Sequence, residues 1–154
     1  MDDKTKSHFE KNYPASSGPE AQGSLAKALY EKGGAETLPL IASIFRRLGA
    51  VQGVKMRKKL GCEDFKSAAW GLFGPALKAQ PPRAEFIELT DNKLVIKAFT
   101  CRLGLFGAGR NLCEAIMEID RAMVSGMVGK DVDMKIEKTL AADDDCCLIE
   151  IRIV

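Results

Sequence analysis

The stretch Arg83-Ala-Glu-Phe-Ile-Glu-Leu-Thr-Asp-Asn-Lys-Leu-Val-Ile-Lys-Ala-Phe-Thr100 decides the fold. Before it, apolar residues recur three and four apart. Within it the period becomes two: Leu94, Ile96 and Ala98 alternate with Lys93, Val95 and Lys97. Alternation on both sides of a tight Asp91-Asn92 turn predicts a β-hairpin, with strands over Arg83–Leu89 and Lys93–Thr100. A second hairpin follows downstream. Val132, Met134 and Ile136 alternate with Asp133, Lys135 and Glu137 in a strand over Val132–Leu140. Ala141–Asp145 is the turn. Cys146–Ile153 is the last strand, with Cys147, Ile149, Ile151 and Ile153 on one face and Cys146 on the other. Two hairpins pair into a four-stranded antiparallel sheet with helices on one face, so the fold class is α+β.

The helical segments surround that sheet in sequence. A short helix is expected over Glu20–Glu31, stopped by Gly33-Gly34. A longer one starts near Glu36 or Thr37, with Pro39 in its first turn, and runs to Leu60 with Gly61 as its C-cap. Leu38, Ile41, Phe45 and Leu48 form its apolar stripe. Glu63–Lys78 fits a third helix, weakened in its second half by Gly71, Gly74 and Pro75. Between the hairpins, Leu112, Ile116, Ile119, Met123 and Met127 mark a helix over Asn111–Met127. The expected order is N-terminal helices, then hairpin, helix, hairpin. Residues 1–19 read as a flexible N-terminal arm pinned by Phe9 and Tyr13, and 20–154 as one domain.

The chain has 154 residues, 46% of them hydrophobic, enough for a single buried core. The 23 basic and 21 acidic residues leave a net charge of +2, which argues against a dedicated nucleic-acid binder. Apolar runs are too short for a membrane span, and the polar N-terminus lacks the apolar stretch of a signal peptide. Five cysteines, an odd number, point to reduced thiols in a cytoplasm. The single histidine, His8, leaves little room for histidine-based nucleophilic catalysis.

Four groups of residues could carry chemistry. The loop Cys101-Arg-Leu-Gly-Leu-Phe-Gly-Ala-Gly-Arg110 precedes a helix, but its spacing matches neither a dinucleotide nor a phosphate loop. Leu105 and Phe106 would plug the core or form the lid of an apolar pocket. Cys101, Cys113 and Cys147 could be core residues, metal or haem-type ligands, or reactive thiols. Cys113, in the first turn of a helix, is expected to have a lowered pKa. Glu114 and Glu118 share an exposed helical face. Asp120 lies seven residues beyond Cys113, on the same side and among apolar neighbours; buried there it would mark a site. Asp143, Asp144 and Asp145 could hold a hard cation but lack the spacing of a calcium loop. Lys55, Arg57, Lys58 and Lys59 read as a solvated helix end or an anion contact.

Ile136-Glu-Lys-Thr-Leu-Ala-Ala-Asp-Asp-Asp-Cys-Cys-Leu-Ile-Glu-Ile151 resembles the C-terminal signature of the 4-vinyl reductase-like domains. It is closer still to the L-2-amino-thiazoline-4-carboxylic acid hydrolase-like proteins. Thr139 and Leu140 match a strand ending in Thr-Leu, Asp144 and Asp145 an acidic turn, and Cys147 the cysteine after it. Asp143 stands where those families prefer glycine, and Ile149 where they prefer an aromatic. Cys101, the glycine loop and Cys113 add to the likeness, which covers residues 80–154.

The resemblance implies a fold shared with haem nitric-oxide-sensing domains and Golgi trafficking-particle subunits, which hold a small molecule between helices and sheet. On that basis the chain is expected to be a small-molecule-binding domain, with Cys101, Leu105, Phe106, Trp70 and Phe73 at an apolar pocket. Zinc or another thiolate-bound metal would sit on Cys101, Cys113 and Cys147. A hydrolase of a small cyclic C–N bond is the alternative, with Cys113 as nucleophile and Asp120 or Glu114 as base. A third expectation is a homodimeric interaction module built like the fold relatives.

Overall fold

The helix-to-strand switch at residue 83 divides the structure, a computed structural model describing residues 1–154, into a helical layer and a sheet. The helices are α1 (Asp3–Asn12), α2 (Gly18–Gly33), α3 (Leu38–Leu60), α4 (Phe65–Leu77) and α5 (Arg110–Val128). The strands are β1 (Ala84–Leu89), β2 (Lys93–Ala98), β3 (Val132–Lys138) and β4 (Cys147–Ile153). Their order is β1-β2-β4-β3, antiparallel throughout. The expected α+β architecture of helices followed by hairpin, helix, hairpin is the one observed.

Alternation sets the two faces of the sheet. The inner face carries Phe86, Leu94, Ile96, Ile149, Ile151 and Val132, which pack with Phe65, Ala69 and Val124 of α4 and α5. The outer face carries charge: Lys93 bridges Glu88 at 2.9 Å and Glu150 at 3.6 Å. A second core joins α2, α3 and the first half of α5 through Ala26, Ile41, Phe45, Leu112 and Ile116. Met117 and Ile136 pack against both cores and mark the seam between them.

The contact between α3 and α5 is a backbone contact. A Cβ added at Gly49 would lie 2.2 Å from the Ile119 carbonyl oxygen, and one at Gly53 2.3 Å from that of Met123. Only hydrogen fits, so the helices touch where glycines recur four residues apart. Glu118 then staples them. It accepts from Arg46 of α3 and from Arg121 of α5, each at 2.8 Å. Arg121 first and Arg46 second hold its carboxyl down at about 2.

Most local boundaries fall within two residues of expectation, and the N-terminal segment and the end of β3 depart from it. Residues 1–19 are not a bare arm: α1 forms behind an Asp2 cap, and α2 begins at Gly18 behind Ser17. This segment is tied to α2, where Ser24 donates to the Pro14 carbonyl at 2.6 Å and Lys27 to that of Asn12 at 3.0 Å. Tyr13 contributes a hydrogen bond to Glu31, while Phe9 remains exposed. Helix α4 continues to Leu77 through Gly71, Gly74 and Pro75. Pro75 sits in the last turn, where one backbone bond is lost, and the Asp64–Ser67 capping box and buried Phe65 and Ala68 outweigh it. Strand β3 stops at Lys138, because Thr139 caps a 3₁₀ turn over Leu140–Ala142 instead of extending the ladder.

Candidate functional site

Two loops meet at the N-terminus of α5. Gly109, at φ +100°, presents its N–H to the Ala141 carbonyl at 2.7 Å. Gly107 reaches Leu140, so the glycine loop is sewn to the 3₁₀ turn after β3. Leu105 is 1% exposed and plugs the core beneath this seam, one of its two expected roles. Phe106 is 57% exposed and points away from the pocket expected for it, because the loop turns at Gly107 and presents only Leu105 inward. Arg110 clamps the junction by donating to the carbonyls of Ile136 and Glu137 at 2.7 and 3.1 Å.

Beneath the loops lie Cys101, Cys113 and Cys147, near enough for a charge on one to act on the others. Thr139, 1% exposed, is the polar node between them. Its hydroxyl donates to the Cys113 sulfur at 3.1 Å, accepts from the Ala141 N–H at 3.2 Å, and lies within reach of Cys147. Cys147 also accepts from the Leu140 N–H at 3.4 Å. Burial pushes the Cys113 thiol up to about 11, with Thr139 acting weakly the other way. The lowered pKa expected from its place in the first helical turn is thereby reversed: desolvation exceeds the helix-end field. Burial likewise raises Cys147.

All five cysteines are free thiols, and no group of three or more Cys, His, Asp or Glu side chains is arranged to hold a metal ion. The acidic turn is also engaged internally. Asp144 accepts from the Thr139 N–H at 2.7 Å, and Asp145 pairs with Lys138 at 3.0 Å.

Asp120 occupies a different kind of place. Its helical phase is that of Cys113, Met117 and Val124, which all face inward on α5. Burial raises its carboxyl to about 6, opposed only by the charge of Arg102, and no hydrogen bond enters its environment. Yet the residue keeps partly accessible surface, and no buried polar side-chain atom in the protein lacks a partner. Other residues of this layer are similarly placed. Leu72 and Phe73 of α4, Met117 of α5, and Phe86, Ala98 and Cys147 of the sheet are all only partly buried.

The expected site residues therefore separate into groups. Cys101, Leu105, Cys113 and Cys147 come together under the loops, and Phe73 and Asp120 flank the space between α4, α5 and the sheet. Trp70 is 48% exposed and stands edge-on to Phe86 at 4.9 Å, on the outside of α4. Glu114 is exposed and paired with Arg110 at 3.8 Å. His8 is exposed on α1 and pairs with Asn12. Arg102 was not among the expected residues, since an exposed arginine in a loop carries no local signal of what it faces. Two open surface grooves of about 540 and 520 Å³ run beside Val54 and Gly126, and include neither Asp120 nor the three clustered thiols.

Comparison with known proteins agrees with the fold. No curated protein is a sequence match to the chain. Among solved structures, a trafficking protein particle complex subunit 3 from Naegleria fowleri, covalently bound to palmitic acid, superposes with a TM-score of 0.61 at 17% identity. That match covers 88% of this chain and 92% of the other. The phenol-responsive sensory domain of the transcription activator PoxR, with phenol, gives 0.59 at 17% identity over 86% and 73%. Both share the fold. The sequence profile of one family matches residues 19–151, nearly all of the helical layer and the sheet. The chain belongs to the L-2-amino-thiazoline-4-carboxylic acid hydrolase family.

Proposed function

We propose that this domain binds a small, mainly apolar organic molecule in the space between α4, α5 and the inner face of the sheet. The observation that carries the reading is the set of partly buried apolar residues between α4, α5 and the sheet, Leu72, Phe73, Met117 and Phe86, with the unpartnered carboxyl of Asp120 in the inward phase of α5. An apolar enclosure with one or two polar groups is the usual composition of a small-molecule site. The two solved relatives, one bound to palmitic acid and the other holding phenol, support the reading as examples of one fold accommodating organic ligands. Native mass spectrometry of the freshly purified chain tests it. A retained organic mass, lost when Ala98→Trp fills the space, supports the pocket. A bare chain that also fails to take up any apolar probe removes it.

Asp120 favours a second reading of the same space as catalytic. A carboxyl near 6 is poised to take a proton close to neutral pH, as a general base for water attacking a cyclic C–N bond would. The family description supports that reaction class. The thiols do not support a nucleophilic role: with Cys113 pushed up to about 11, only about one molecule in ten thousand carries a thiolate there at pH 7. Hydrolysis of the amino-thiazoline carboxylate, abolished by Asp120→Asn, is the outcome expected of an enzyme.

A further inference from the structure

We propose that the outward face of α3 is a docking surface for an anionic lipid membrane. The domain would lie on such a surface, since no helix is long and apolar enough to cross one. The inference stands apart from the pocket reading.

Helix α3 buries Ile41, Phe45, Gly49 and Gly53, lies along α5 and only brushes α4, so its other side is left open. In helical phase Leu40, Ile44, Arg47, Val51, Val54 and Lys58 lie on that open side, in alternating steps of four and three. The four apolar residues are each between 45% and 55% exposed. Charge is concentrated in the same place. Six of the chain's 23 basic residues and none of its 21 acidic ones lie on α3, so without this helix the chain is net negative. Arg46 is taken by Glu118, and Arg57 lies against Gly129 at the end of α5. Arg47, Lys55, Lys58 and Lys59 are exposed and enter no salt bridge, whereas Lys93, Lys135 and Lys138 beside the sheet each have one.

A partner for this face has to offer negative charge and an apolar layer together. A nucleic acid would meet the charges and leave Leu40, Ile44, Val51 and Val54 in water. A second copy of the chain, docked face to face, would bring two unpaired basic sets together. The core of a protein interface is depleted of lysine, yet Lys58 stands in line with the apolar row. An anionic bilayer meets both demands. Apolar side chains enter the boundary beneath the headgroups, while long basic side chains reach out to the phosphates. A basic amphipathic helix is suited to lying in that plane. The basic end of α3, Lys55 to Lys59, thereby takes the anion-contacting role rather than that of a solvated helix end.

The test is co-sedimentation of the intact chain with vesicles of phosphatidylcholine, alone or with about 30% phosphatidylserine, at about 0.1 M and about 0.5 M salt. Binding to the charged vesicles is expected to exceed binding to the neutral ones at least about tenfold, and to fall by about as much at the higher salt. Lys55→Gln with Lys58→Gln should weaken it about tenfold to thirtyfold. Val51→Ser should weaken it about threefold or more, because the apolar row enters the lipid. Lys4→Gln with Lys11→Gln, both exposed on α1, should leave it within about twofold. Equal binding to neutral vesicles, indifference to salt, or an equal loss from the two lysine pairs overturns the proposal. An unchanged affinity in either α3 variant overturns it as well. Absence of binding to the charged vesicles overturns it and leaves the face to a protein partner. A dimer in sedimentation velocity that Val51→Glu dissociates overturns it by giving the face to a second copy.

Discussion

Asp120 should make the domain less stable than it could be, and Asp120→Asn measures by how much. Asn matches the carboxylate in shape but carries no charge to desolvate. In the unfolded chain the Asp carboxyl titrates at 3.8, and in the folded protein at about 6. At about 1.4 kcal/mol per tenfold change in proton affinity, that difference amounts to about 3 kcal/mol. Water reaching the side chain screens part of it, leaving about 2 kcal/mol. Below pH 3.8 the group is protonated in both states and costs nothing. Between 3.8 and about 6 the unfolded chain ionises first, so native stability falls as pH rises. Above that the full penalty applies. Asp120→Asn should therefore be more stable than the native chain at neutral pH, by about 4 to 8 °C in Tm for a domain of this size. The advantage should shrink through pH 5 and vanish near pH 3.5. Paired thermal melts across that range decide it. A variant no more stable at pH 7, or one equally advantaged at pH 3.5, would refute the claim that Asp120 is an unpartnered, desolvated carboxylate.

Other positions give independent outcomes. Gly53→Ala drives a Cβ to within 2.3 Å of the Met123 carbonyl, and urea denaturation should show a loss of about 2 to 4 kcal/mol. Glu118→Gln removes a carboxylate whose pKa is depressed to about 2; its stabilisation is complete above 4.5 and is lost as pH falls through 2. The loss should be about 1 to 2 kcal/mol at pH 7, discounted for the half-exposed Arg46, and negligible near pH 1.5. Alkylation followed by peptide mapping at pH 7 should find Cys113 labelled about a hundredfold more slowly than free cysteine, since so little of it is thiolate. Rapid labelling of Cys113 in the folded protein would restore the nucleophile reading.

Much of the fold was legible because its signals are periodic. The alternation Leu94-Ile96-Ala98 and Val132-Met134-Ile136 placed the hairpins, and four antiparallel strands followed. What escaped was decided by competition over distance. The residues before Gly18 read as a flexible arm pinned by Phe9 and Tyr13, yet Ser24 and Lys27 of α2 also supply bonds that hold them, and Phe9 stays exposed. The site divided in the same way. Cys113 and Asp120 share a helical phase, so their inward direction could be read from spacing alone. The fully buried Thr139 hydroxyl between two thiols, and Arg102 opposite Asp120, depend on how three separate segments converge. Phe106 and Trp70 looked like pocket residues by type; both are about half exposed, and Trp70 rests on Phe86 of the sheet.

The glycine crossing has a mechanical consequence. Because α3 and α5 meet through backbone at Gly49 and Gly53 and are stapled by Glu118, they can neither slide nor separate without first breaking that contact. The wall bearing Asp120 is then a fixed anvil. Any movement that admits a molecule has to come from the opposite jaw, α4, whose glycines face side chains rather than the backbone of α5. Guest exchange should accordingly follow the opening of α4, and hydrogen exchange in Phe65–Leu77 should be the first to report an occupied space.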